Sequence, residues 1–204
     1  MTTAGLPRCT GDAAPYQGGD PYADYRTLGP GGFPFTQLPD LADRRLGAGV
    51  IAANDEFFAE RENLLTPGPA RFDPEAFGHK GKIMDGWETR RRRGTGNDWV
   101  RYRLTERSVI RAVEIDTGCL KGNSAGWAAL FGRDGEGGDW TELLPCTRLQ
   151  PDTVHRFLTA GAPPVTHVRI DIFPDGGIAR LRLHGSLTAD GMRRLAARHE
   201  ELSG

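Results

Sequence analysis

Cysteine is scarce in this 204-residue chain, and the few that occur do not form a pattern. Cys9, Cys119 and Cys146 are widely spaced and odd in number, with no Cys-x-x-Cys among them. That argues against a disulfide framework and against a structural zinc site. It fits reduced thiols in a cytosolic protein, with Cys119 a small apolar filler on or beside a strand rather than a nucleophile. No apolar run approaches the roughly 20 residues that cross a bilayer. A basic excess is missing too: 26 Lys and Arg stand against 27 Asp and Glu, a net charge of -1, so nothing pulls the chain toward nucleic acid in general. Residues Met1 to Asp20 lack the basic opening and continuous apolar stretch of a signal peptide. The expectation is a soluble, cytoplasmic protein with no nucleic-acid and no membrane partner. The histidines, His79, His155, His167, His184 and His199, show no short paired spacing, and phosphate-loop and Rossmann patterns are absent. The cofactor is therefore unknown; a divalent metal stays open, with no ligand motif behind it.

What is present reads as one domain with extensions. Residues 1–32 are dense in Gly and Pro and are expected to form a flexible tail, with Tyr16, Tyr22 and Tyr25 able to latch onto a surface. The domain proper is expected over 33–187. Asp40 opens a helical turn through Leu41 and Leu46, Gly47 and Gly49 break it, and Val50 to Ala53 reads as a buried strand. Further strand signals cover Trp99–Leu104, Val109–Asp116, Trp127–Phe131, Trp140–Leu144, His155–Leu158, Val165–Phe173 and Ile178–Leu183. Short strands at this spacing indicate a mainly β, antiparallel jelly-roll sandwich. In Val168-Arg169-Ile170-Asp171-Ile172 and Ala179-Arg180-Leu181-Arg182-Leu183 the charged side is expected to face out. Pro174-Asp175-Gly176-Gly177 between them predicts a hairpin turn. Residues 188–204 predict a terminal helix with an apolar stripe of Met192, Leu195, His199 and Leu202, capped by Thr188 or Asp190.

The segment from Asn54 to Gly96 lacks periodicity yet carries Phe57, Phe58, Leu64, Phe72, Met84 and Trp87. It predicts an ordered loop draped over one end of the sandwich, which is where function concentrates. Asp55 and Glu56 follow a buried strand and precede two aromatics, so they are candidates for a general base or for metal ligation. Arg90, Arg91, Arg92 and Arg93 form a run. It is a solvated charge patch, or alternate members point into a pocket and hold a small carboxylate. Asp98 and Asp116 sit at strand ends, Asn123 follows Gly122 in a tight turn, and His79 lies inside the loop.

Taken together, Ala53-Asn54-Asp55-Glu56-Phe57-Phe58, Glu62-Asn63-Leu64-Leu65, Phe77-Gly78-His79-Lys80-Gly81 and Asp85-Gly86-Trp87-Glu88-Thr89-Arg90-Arg91-Arg92-Arg93 resemble the allantoicase family. Asp98-Trp99, Asp116-Thr117, Gly122-Asn123 and Pro174-Asp175-Gly176-Gly177 extend the resemblance over roughly residues 35 to 187. It implies a galactose-binding-like jelly roll and an amidinohydrolase-type reaction in which allantoate and water give ureidoglycolate and urea. Asp55, Glu56, Asp85 and Glu88 then supply acid and base. Asn54, His79, Trp87, Arg90 to Arg93, Asp98, Asp116 and Asn123 would meet the small anionic ureido or guanidino substrate, and the acids and arginines are expected to converge in one pocket. The alternative is a non-catalytic, small-ligand-binding module on the same jelly roll. Family members carry two such repeats in one chain, so a lone repeat implies a homo-oligomer that covers the packing surface.

Overall fold

The computed structural model describes residues 37–159 and 161–203, so the tail expected over residues 1–32 lies outside the described residues. A short 3-10 turn, Arg44–Leu46, is capped by Asp43, whose carboxylate accepts from the Arg45 amide. Strand β1 (Gly49–Ala53) follows. Inside the long loop are a second 3-10 turn (Arg61–Leu65) and the short strands β2 (Phe77–Gly78), β3 (Gly81–Lys82) and β4 (Trp87–Glu88). Then come β5 (Asp98–Asp116), β6 (Trp127–Arg133), β7 (Thr141–Arg148), β8 (Val154–Leu158), β9 (Val165–Phe173), β10 (Gly177–Ile178), β11 (Arg180–Leu187) and helix α1 (Ala189–Ser203). Every pairing between these strands is antiparallel, in the order β1-β5-β9-β6-β7 with β11 and β8 joined to β5. This is the expected mainly β jelly-roll sandwich with a C-terminal helix.

The two strands expected over Trp99–Leu104 and Val109–Asp116 are one strand of nineteen residues. Its first part, to Arg103, lies between β1 and β9, and its last part pairs with β11 and β8, so β5 crosses from one layer to the other. Inward residues change phase along it, from Val100, Tyr102 and Leu104 to Val113 and Ile115. A strand with side chains of period two can shift phase only through an irregularity. One lies in β5 at Arg111, the extra residue where β11 steps from His184 to Gly185 and β5 from Ala112 to Ile110; a Cβ on Gly185 would stand 2.2 Å from the Val109 carbonyl oxygen. The core between the layers joins these residues to Leu130, Ile170, Ile172, Leu181 and Leu183, all out of contact with water. Each such aliphatic side chain contributes about 1.5–3 kcal/mol by leaving solvent.

Two sequence expectations need correction. Residues Pro174 to Gly177 do turn the chain, with Gly176 at φ +121°, but they make no hairpin: β9 pairs with β5 and β6, and β11 with the other half of β5. The charged residues of β9 and β11 alternate with the core residues as expected but are not in water: Arg169, Asp171 and Arg180 are 3%, 1% and 1% exposed. Arg169 and Asp171 pair with each other beneath the Trp99 ring, and Arg180 is covered by the long loop. The terminal helix forms as expected, with Met192 and Leu202 of its apolar stripe exposed. Arg194 and Arg198 hold the helix, both donating to Glu106, while the Thr188 hydroxyl accepts from the Gly191 amide as its cap. Among the described residues no helix is long and apolar enough to cross a membrane.

Candidate functional site

The loop between β1 and β5 is ordered because its carbonyls find buried donors, which an irregular segment needs if it is to lie against a sheet. Arg180 donates to Asp85 Oδ2 at 2.7 Å, to the Asp85 carbonyl at 2.8 Å and to the Gly68 carbonyl at 3.1 Å. Arg182 donates to the carbonyls of Thr66 at 2.6 Å and Gly68 at 3.0 Å. The Trp87 indole, fully buried, donates to the Asp55 carbonyl at 2.7 Å, and Asn63 donates to the Gly86 carbonyl at 3.0 Å. Gly86 is required here, because a Cβ would lie 2.7 Å from the Ile178 carbonyl oxygen.

These contacts seat β4 against β10, with Glu88 opposite Gly177. On the other flank of β10 the Gly177 amide donates to the Asn123 carbonyl at 2.8 Å. Glu88 and Asn123, 35 positions apart, are thereby brought side by side, and Asn123 Nδ2 donates to Glu88 Oε1 at 2.6 Å. A cavity of 660 Å³ opens at this point. Ala59, Met84, Leu120 and Ala179 form a small apolar cluster beneath it, separate from the main core. Phe58 and Phe72 supply aromatic wall, and Cys119 and Asp152 close one side. Burial pushes the Glu88 carboxyl above its ordinary range, against the opposing effect of the Asn123 hydrogen bond.

Lys80, Lys82 and Lys121 line the same cavity. They are the three lysines of the chain, among 26 basic residues. Lys80 donates to the Phe57 carbonyl at 2.7 Å, Lys82 lies 5.1 Å above the Phe72 ring, and Lys121 is 3.6 Å from Asp152. Sequence reasoning passed over all three, drawn instead to the arginine run. The signal that would have found them is compositional: a chain that uses arginine almost everywhere keeps lysine for one place.

Of the acids expected as catalytic, Glu88 alone lines this cavity. Asp55 accepts from the amides of Phe57 and Arg90 and pairs with the Arg90 guanidinium at 2.6 Å. Burial would raise its carboxyl, but these bonds outweigh it and hold the group below its ordinary value. Glu56 pairs with Arg61. Asp85 serves Arg180 and the Arg71 amide, which in the same way overcome burial and lower it. The arginines do not converge with these acids in one pocket. Arg90 is bound to Asp55, Arg92 pairs with buried Asp98 while its amide donates to Asp175, and Arg91 and Arg93 are exposed. The cause is their geometry: a planar fork is readily occupied by carboxylates and carbonyls already fixed in the fold. Asn54 bridges β1 to β5, accepting from the Trp99 amide and donating to Asp98. Asp116 accepts from the Gly118 amide, and burial raises its carboxyl. His79 is exposed in the turn between β2 and β3, beside Lys80. Among the described residues no group of three or more His, Cys, Asp or Glu side chains is placed to hold a metal ion.

A family model described as the allantoicase repeat matches residues 39–188. The probable allantoicase of Streptomyces coelicolor is 38% identical, with 96% of this chain and 97% of that protein aligned. The probable allantoicase of Nocardia farcinica is 50% identical, over 72% of this chain and 42% of that one. Among solved structures, the allantoicase of Saccharomyces cerevisiae aligns with a TM-score of 0.64 and 31% identity, covering 74% of this chain and 44% of that chain. The chain thus spans less than half the length of that solved relative. A carbohydrate-binding module, CBM32-3 of a Clostridium perfringens glycoside hydrolase, aligns at a TM-score of 0.53 with 10% identity, a likeness of fold alone.

Proposed function

The chain belongs to the allantoicase family, and from that premise we propose that it hydrolyses allantoate or a related ureido or guanidino compound in the lysine-lined cavity. The observation that carries this reading is that every lysine of the chain shares one cavity with Glu88, an acid whose carboxyl is raised by burial. Allantoate is a small anion with a carboxylate and two planar ureido groups on one carbon. A cavity of 660 Å³ is within the range, about 300–1,000 Å³, that holds small molecules. Lysine ammonium groups on flexible stems suit the carboxylate, and the faces of Phe58 and Phe72 suit the planar ureas. The reaction is an amidinohydrolase-type C–N hydrolysis. A bond forms between the central carbon and the oxygen of water, the bond to one ureido nitrogen breaks, and one proton travels from the water to that nitrogen. Glu88 takes the proton and returns it to the departing urea, while Asn123 fixes the orientation of its carboxylate. A cytoplasmic location and a homo-oligomer go with this reading.

The test is urea release from allantoate, ureidoglycolate and a set of guanidino acids by the wild type, K82A and K121A. Losing one charge-assisted hydrogen bond of about 1.5–3 kcal/mol corresponds to a KM increase on the order of 10- to 100-fold. Tight binding of these anions without urea from any of them would favour the non-catalytic ligand-binding module.

A further inference from the structure

One wall of the cavity is the loop from Asp116 to Asn123, which delivers Lys121 and Asn123. Leu120 anchors it from below, fully buried. From the side it is held by a turn at residues 150–153. The Thr117 amide donates to the Thr153 carbonyl at 2.9 Å, and the Thr117 hydroxyl donates to the Gln150 carbonyl at 2.6 Å and accepts from the Thr153 amide at 3.0 Å. At the cavity edge Asp152 Oδ1 accepts from the Cys119 amide at 2.8 Å, and Oδ2 lies 3.6 Å from Lys121 Nζ.

Among the described residues, Cys119 and Asp152 are the two non-glycine residues with positive φ, at +67° and +52°. Side chains disfavour that conformation, and it persists only where the surroundings over-determine it. Here the strained residues hold each other. We infer that Asp152 is a positioning residue: it braces the Cys119–Asn123 loop through the Cys119 amide and holds Lys121 at the cavity mouth until a substrate carboxylate takes the ammonium group. This rests on the reading that the cavity receives a small carboxylate. Lys121 and Asp152 side chains are 81% and 44% exposed, so their attraction is weak in water and a substrate can displace it. The two functions of Asp152 separate chemically. The brace needs only an acceptor oxygen, whereas holding Lys121 needs the negative charge.

The experiment compares D152N with D152G. Both remove the charge, and only D152N keeps an acceptor. Glycine adopts φ +52° freely, so D152G preserves the turn without the brace. The first readout is alkylation of Cys119 by iodoacetamide, resolved from other thiols by mass spectrometry. Burial and the Asp152 charge both raise this thiol, so losing the charge speeds both variants alike, and the contrast between them reports the brace. D152G is expected to react at least about 5-fold faster than D152N. Equal rates would overturn the brace. The second readout is KM for allantoate: D152N is expected at or below the wild-type value with kcat unchanged, and D152G about 10-fold above it. A raised KM in D152N would overturn the hold on Lys121. If the thiol rates behave as stated and no substrate is turned over, the functional reading fails and the brace stands.

Discussion

Replacing Asp85 by alanine separates anchoring from chemistry. The Arg180 side chain is 2% exposed and that of Asp85 is 31% exposed, so the pair is dry on one side only. Deleting one member of a buried ion pair costs about 3–5 kcal/mol, because the other charge is left without a partner. Arg180 keeps the carbonyls of Gly68, Asp85 and Ala179 as acceptors, which places the expectation at the lower end, about 3 kcal/mol. For a domain of this size each kcal/mol moves Tm by about 2–4 °C, giving a fall of about 6–12 °C by circular dichroism. The carboxyl of Asp85 is lowered in the fold, so its contribution is complete above the unfolded-state pKa and disappears as pH falls through the folded one. The gap between wild type and D85A should therefore narrow in acid, below about pH 4. A D85A/R180M double variant should lose less than the sum of the single variants, since it removes both charges. Were D85A to melt with the wild type yet release no urea, Asp85 would belong to the chemistry and the anchoring role assigned from Arg180 would be wrong.

Three further outcomes are expected. E88Q should lower urea release by about 100-fold or more. Its Tm should be unchanged or higher, because the raised carboxyl weakens the fold when ionised above its folded pKa; wild-type kcat/KM should fall on the acid side from an inflection above the ordinary glutamate value, and E88Q should lack that limb. Gly86→Ala drives a Cβ to within 2.8 Å of Ala179 Cα, so a loss of about 1–3 kcal/mol is expected in guanidinium unfolding. Light scattering at micromolar concentration should show a dimer or larger species, with the exposed Met192 and Leu202 of α1 as contributors; a monomer with full activity would remove the case for assembly.

Strand β9 was legible because alternation survives in it: Val168, Ile170 and Ile172 share a face in sequence and in the core. What was not legible is how far one strand runs. Thr105 to Arg107 read as a break, yet the Thr105 amide donates to the Leu41 carbonyl and the Arg107 carbonyl accepts from the Thr188 amide, so loop and helix cap serve the backbone where sheet partners change. The burial of Arg169, Asp171 and Arg180 was hidden for a related reason. A charged residue on the outward phase predicts water, and only the folded chain shows that a tryptophan ring or a loop covers it.

The site was half legible. Glu88 and Asn123 were recognised as residues of interest, but nothing local to either shows that β10 would set them 2.6 Å apart. The arginine run misled through its density. Arg90 and Arg92 are consumed by Asp55 and Asp98, and Arg180 and Arg182 by loop carbonyls, which is what a rigid five-donor fork does best once its acceptors are fixed in the same fold. A ligand that must enter and leave asks for a different cation, a point charge on a flexible stem that adapts to an incoming carboxylate and releases the product. Lysine meets that need, and arginine already bound to the scaffold does not. The division of labour follows: Arg180 and Arg182 pin the loop behind this cavity, and the three lysines line the cavity itself.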